Sequence, residues 1–166
     1  MLFYAHYIFW ISWFLIIYTY VFFPILINLA ARASKSKSIP IYPEGSDYLP
    51  KVCMVVASYN EAATLPDKLK NTWEIDYPAD KFRLVIGSDG SSDASHDLLN
   101  ACKDKRLLTR LFTERRGKIS VLNDLVAGIT ENDAEILVFS DANTMFAPDA
   151  LKKLVAHFQD LKVGCV

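Results

Sequence analysis

The sequence predicts an α/β fold, a parallel sheet with crossover helices, preceded by one apolar helix at the N-terminus. Three observations carry this. Between Leu2 and Arg32 there is no charged residue apart from the weakly basic His6. After Pro50, short β-branched runs alternate with amphipathic stretches, the pattern of strand–helix–strand units with right-handed crossovers. Two of those runs end in carboxylates: Leu84–Ser88 leads into Asp89, and Val138–Ser140 into Asp141 and Asn143. Ligands of open α/β sheets bind beyond the carboxyl ends of the strands. Paired oxygen ligands there suit a hard divalent cation and the diphosphate it carries, which makes a nucleotide site the first expectation.

The N-terminal run passes through Ile8–Ile17, Tyr20–Phe23 and Ile25–Ile27. A bilayer core of about 30 Å needs roughly 20 helical residues, so this run can span with tilt. Pro24 is expected to kink it or to end its lipid-buried part. Tyr4, Tyr7, Trp10, Tyr18 and Tyr20 suit an interfacial belt, with Trp13 deeper. A cleavable signal peptide competes, helped by Ala31-Arg32-Ala33, but the run is longer than a normal h-region and lacks a basic n-region. A globular core helix would have to be apolar on every face. Arg32, Lys35 and Lys37 follow the run and no Lys or Arg precedes it, so the positive-inside rule puts the remainder in the cytoplasm. Residues 1–33 are therefore read as a single transmembrane anchor. The Ser-, Lys-, Pro- and Gly-rich residues 34–50 are read as a linker, and 51–166 as the soluble part.

Along that part, Val52–Ala57 is a buried strand. A helix follows, capped by Thr64 with Leu65-Pro66 in its first turn and running to Trp73. Phe82–Ser88 is a second strand, Ser92–Lys103 a helix, and Leu107–Thr113 a third strand. Gly117–Gly128 is helical, with Ile119, Leu122, Leu125, Val126 and Ile129 on one face. Glu135–Ser140 is the fourth strand, Pro148 opens a helix through Phe158 at its N1 position, and Val163–Val166 begins a fifth strand. An apolar run at the C-terminus suggests the N-terminal portion of a longer domain.

At 166 residues the chain holds one domain plus an appendage, and its net charge of −1 offers no general attraction to nucleic acid. Cys53, Cys102 and Cys165 have no metal-like spacing and read as structural thiols in a reducing compartment. The three His form no i, i+4 pair for zinc, and His96 and His157 read as polar helix-face residues.

Four stretches, in this order, match a family: Val56-Ala57-Ser58-Tyr59-Asn60-Glu61; Ser88-Asp89-Gly90-Ser91-Ser92-Asp93; Arg116-Gly117-Lys118 with Asn123; and Ser140-Asp141-Ala142-Asn143-Thr144. Across residues 51–166 the chain resembles the N-terminal half of membrane-associated, inverting family-2 glycosyltransferases of the GT-A fold, the group with cellulose-synthase-like and hyaluronan-synthase-like enzymes. The resemblance implies transfer of a sugar from a nucleoside-diphosphate donor, with a UDP-sugar expected, to a glycan or lipid-linked acceptor, using Mg²⁺ or Mn²⁺. It implies that Ala57, Tyr59 and Glu61 meet the base and that Asp89 accepts from a ribose hydroxyl or uracil N–H. Asp93 competes between ligand and helix cap. Lys118, with Arg115 and Arg116 beside it at a helix start, would hold the diphosphate. Asp141 and Asn143 stand where the family carries its D-x-D and would hold the metal. Asn143 replaces the second Asp, so an amide oxygen ligates without charge, and Ser88 replaces a frequent family Asp. The family's general base, and the Q-x-x-R-W of processive members, lie later than the D-x-D and have no counterpart in this sequence. Two other readings compete: a non-catalytic nucleotide-binding module, and a nucleotidyltransferase. The second would want a Gly-rich triphosphate loop where Ser58-Tyr59-Asn60-Glu61 stands.

Overall fold

The computed structural model describes residues 2–33, 48–130 and 132–166. The chain forms two compact units, Met1–Ile41 and Tyr42–Val166.

In the first unit, helix α1 (Leu2–Ile17) runs through a π-helical turn (Tyr18–Phe22) into helix α2 (Phe23–Ala33). The Phe23 N–H reaches back to the Tyr18 carbonyl. Pro24 has no N–H and its ring crowds the carbonyl four residues earlier; the widened turn just ahead of it accommodates both. Pro24 therefore does not end the helix. Tyr4–Ala33 makes 30 helical residues, long and apolar enough to cross a membrane. At about 1.5 Å per residue its length is about 45 Å.

In the second unit, strands β1 (Val52–Ser58), β2 (Phe82–Asp89), β3 (Leu107–Phe112) and β4 (Ile136–Asp141) form one parallel sheet in the order β3-β2-β1-β4. Helices α3 (Leu65–Trp73), α4 (Ser95–Ala101), α5 (Lys118–Ala127) and α6 (Ala150–Ala156) connect and extend them. The chain starts at β1, adds β2 and β3 to one side, then returns to lay β4 on the other. That reversal puts a topological switch point between β1 and β4, where Ala57 lies level with Asp141.

The pleat sorts β1 by alternation. Val52, Met54 and Val56 face a core completed by Leu65, Leu84, Ile86, Leu99, Leu151 and Val155. Cys53 and Val55 face Val85, Val121 and Leu125. Helices α3, α4 and α6 thus cover one face and α5 the other. Close approach of α5 needs Gly87: a Cβ there would meet Val121 Cγ1 at 2.5 Å. Burial pushes the Cys53 thiol up to about 11, so it stays neutral and inert.

Several expectations need correction. The Thr64 side chain does not cap α3; its hydroxyl donates to Glu61 Oε2 at 2.6 Å. Helix α4 starts at Ser95 rather than Ser92, because Ser91, Asp93 and Ser95 accept N–H groups of the loop after β1. Pro148 precedes α6, whose N-cap is Asp149, and its carbonyl accepts the Asp76 N–H at 2.9 Å. Ile119 is 74% exposed and lies off the packed stripe of α5. Val163–Val166 joins no ladder among the described residues, since Val163 closes a turn onto the Asp160 carbonyl instead. The Nε2 of His96 is buried and without a hydrogen bond, so this ring does not simply face water.

Candidate nucleotide and metal site

The loops after β1 and β2 are stitched together by short polar side chains. Asn60 adopts the left-handed conformation (φ 53°), which Asn tolerates better than most residues. Its N–H donates to Ser91 Oγ at 3.0 Å, and its Oδ1 accepts the Ser92 N–H at 2.8 Å. The Glu61 N–H donates to Ser95 Oγ, and the Ala62 N–H to Asp93 Oδ2. Asp93 also accepts the Ser95 N–H, and these bonds hold its carboxyl below the usual range, the Ser95 contact foremost. Asn60 and Asp93 are thereby used by the scaffold.

Asp89, at the end of β2, is 3% exposed. Its two oxygens accept the N–H groups of Arg116 and Gly117 at 2.6 and 2.8 Å. Gly90 makes the adjoining turn with φ +65°, and a Cβ there would strike the Arg115 nitrogen at 2.6 Å. Asp89 therefore fixes the Arg115–Gly117 loop and, through it, the start of α5. Arg115 lies over the Tyr59 ring at 4.1 Å. Arg116 turns away, over Phe112 and onto Asp124, so it does not support Lys118 as expected. Asn123 is exposed and lies outside the cleft lining.

Asp141 and Asn143 rise from β4 into a tight turn closed by the Thr144 N–H on the Asp141 carbonyl. Lys118 places its ammonium on Asp141 Oδ1. Beneath this turn lies Lys68, a residue with no sequence signature of function and no exposure at all. Its ammonium donates to Ser140 Oγ at 2.8 Å and to the Thr144 carbonyl at 2.6 Å. Burial pulls the Lys68 ammonium down to about 8, partly opposed by the Asp141 carboxylate.

These elements enclose a cleft of about 300 Å³ at the switch point. Ala57, Tyr59, Glu61, Asp89, Lys118, Asp141 and Asn143 all line it, with Ser58, Arg115, Gly117 and Ala142. Those first seven residues, expected to meet the nucleotide or the metal, are thus brought to one place, whereas Asn123, Arg116 and Asp93 are not part of the lining. Arg115 was legible only as a neighbour of Lys118, and its stack on Tyr59 was not. Among the described residues no three His, Cys, Asp or Glu side chains converge into a ready-made metal centre. The two oxygens of Asp141 and Asn143 fit a hard cation that brings its remaining ligands with an anionic substrate. The Lys118 ammonium on Asp141 marks that rim as a place that accepts positive charge.

Comparison with known proteins follows the same line. Residues 53–166 match the model of glycosyl transferase family 2. The poly-β-1,6-N-acetyl-D-glucosamine synthase of Staphylococcus aureus is 31% identical over 122 residues, covering 72% of this chain and 28% of the relative. The mannosyltransferase PcManGT from Pyrobaculum calidifontis, solved with GDP-Man and Mn²⁺, superposes with a TM-score of 0.75 at 33% identity, over 85% of this chain and 41% of its own. TarS from S. aureus, solved with UDP-GlcNAc, shares the fold with a TM-score of 0.56 at 21% identity, over 64% and 30%. The chain thus spans less than half the length of these proteins, and its sheet is the GT-A sheet of the two solved structures. With a family model covering most of the chain, it belongs to glycosyl transferase family 2.

Proposed function

We propose that residues 51–166 form the donor-binding part of a membrane-anchored transferase that moves a sugar, with inversion, from a UDP-sugar to a hydroxyl of a glycan or lipid-linked acceptor. The observation that carries this is the convergence of Tyr59, Asp89, Lys118, Asp141 and Asn143 on one cleft at the β1/β4 switch point.

In this reading Ala57, Tyr59 and Glu61 frame the base, which slides against the Tyr59–Arg115 stack. Asp89 keeps lone pairs free for a ribose or base donor while it anchors the Arg115–Gly117 loop. Lys118 exchanges Asp141 for the diphosphate, aided by the unpaired N–H groups at the start of α5. Asp141 and Asn143 would hold Mg²⁺ or Mn²⁺, which would supply positive charge to offset that developing on the departing nucleoside diphosphate. In the transfer, a base removes the acceptor proton and the acceptor oxygen attacks the anomeric carbon. The bond from that carbon to the phosphate oxygen breaks. We assign no residue of 51–166 as that base.

Support for the UDP-sugar comes from TarS, solved with UDP-GlcNAc, whereas PcManGT was solved with GDP-Man. Residues 1–33 act as the anchor in this reading, and most of the linker expected at 34–50 lies outside the described residues. Arg32, Lys35 and Lys37 support a cytoplasmic soluble part, where nucleotide sugars are made. A non-catalytic nucleotide-binding module is the second reading, and Asn143 in place of an acidic ligand favours it.

Photolabelling tests base and place together. With Mn²⁺ present, 5-azido-UDP should label peptides containing Tyr59 or Arg115, with protection by UDP and not by GDP. Protection by GDP alone would overturn the uridine assignment, and labelling spread over the surface would overturn the site.

A further inference from the structure

Lysine is almost never fully buried unless it is paired, because removing an ammonium from water is costly. Lys68 is the one charged side chain without exposure among the described residues, and none of the roles proposed for the cleft uses it. Its compensation is local and specific. It donates to Ser140 Oγ and to the Thr144 carbonyl, and lies 5.0 Å from the centre of the Phe146 ring. Ser140 in turn donates to the Asp141 carbonyl at 3.1 Å. Three residues further along α3, Asn71 grips Phe146 from both sides: its Oδ1 accepts the Phe146 N–H at 2.8 Å and its Nδ2 donates to the Phe146 carbonyl at 2.9 Å. Helix α3 thus holds the chain just before the Asp141–Asn143 tip and again just after it. At the tip Asp141 and Asn143 are exposed while Ala142 between them is buried, and the Thr144 N–H closes the turn onto the Asp141 carbonyl.

We infer that Lys68, with Asn71, is a positioning residue for donor binding, a clamp on α3 that fixes where Asp141 and Asn143 present their oxygens to a cation–diphosphate. The inference rests on the donor reading above. Outer partners that orient ligating groups matter at the level of about 10- to 100-fold in affinity. The demand is stronger in this chain because Asn143 brings no charge, so geometry must supply what electrostatics does not.

The test uses the full chain in detergent micelles, as wild type, Lys68→Met and Asn71→Ala. Backbone hydrogen exchange should accelerate in residues 141–146 in both variants and stay unchanged in 88–93. UDP affinity in Mn²⁺ should fall about tenfold or more, while the weaker binding of uridine, which carries no diphosphate, stays the same. Asn71→Ala removes no buried charge, so it keeps the test alive if Lys68→Met fails to fold. Unchanged exchange at 141–146 in a folded variant, or UDP affinity equal to wild type, overturns the clamp. Exchange that rises uniformly across β1 and β2 also overturns it, since that marks a general stability role. Absence of Mn²⁺-dependent UDP binding in the wild type is a different failure, and it sinks the donor reading itself.

Discussion

Asp89 shows how one side chain serves the scaffold and the cleft together. The sequence marks it as a strand-end carboxylate in an S-D-G-S-S-D stretch, which points to a ligand and not to an anchor. Its anchoring of Arg116 and Gly117 spans 27 and 28 positions, and no local pattern encodes such a pair. Both bonds are charge-assisted and converge on a buried carboxylate, although their donors lie in an exposed loop, so Asp89→Ala is expected to cost about 1–3 kcal/mol of stability in urea unfolding followed by circular dichroism. A loss under about 0.5 kcal/mol, the scale of an ordinary surface change, would refute the anchoring role. Loss of nucleotide binding in this variant therefore reports the loop as much as a ligand, and Asp141 is the cleaner probe. Lys68 was illegible for a related reason. In Pro66-Asp67-Lys68-Leu69-Lys70 it reads as part of a solvated helix face, and its partner Ser140 is 72 positions away. One signal was available: Lys68 follows Leu65 by three and precedes Thr72 by four, on the buried stripe of α3.

At the scale of elements, the strands were the most legible part. The central strands β1 and β2 are largely buried and read as near-continuous apolar runs, the edge strands β3 and β4 are only partly buried, and all four lie within about two residues of expectation. Helix starts were less legible: before α4, Ser91 and Asp93 bond the loop after β1, and before α6, Asp149 pairs with Lys153 while the Pro148 carbonyl takes the Asp76 N–H. Val163–Val166 has strand composition but pairs with no strand among the described residues, and composition alone does not make a ladder. In the N-terminal helix, the cost of Pro24 is taken up by the π-helical turn, which keeps the apolar run continuous up to Arg32. If that helix spans with Arg32 inside, a membrane-impermeant maleimide should leave intact cells unlabelled and should label the exposed Cys165 once they are permeabilised. Burial keeps Cys53 out of this reaction. Labelling of intact cells would reverse the orientation.

For the whole molecule, the order of events along the chain explains why one cleft collects all the chemistry. Two strands are added to one side of β1 before the chain returns to the other, so the loops after β1, β2 and β4 and the start of α5 meet at a single point. The four motifs announce this meeting because each occurs at a strand or helix end, where backbone groups are free and side chains are not needed for packing. What they do not announce is the layer beneath, where Asp89, Lys68 and Asn71 hold those ends in register. The central claim is that the cleft takes a nucleoside diphosphate through a cation on Asp141. Its most direct test is calorimetric titration of UDP into the detergent-solubilised chain with Mn²⁺, then with EDTA, then with Asp141→Ala. We expect saturable binding with Mn²⁺ that weakens by about tenfold or more in each of the other two. Equal affinity under all three conditions, or no binding by a folded chain, would contradict it.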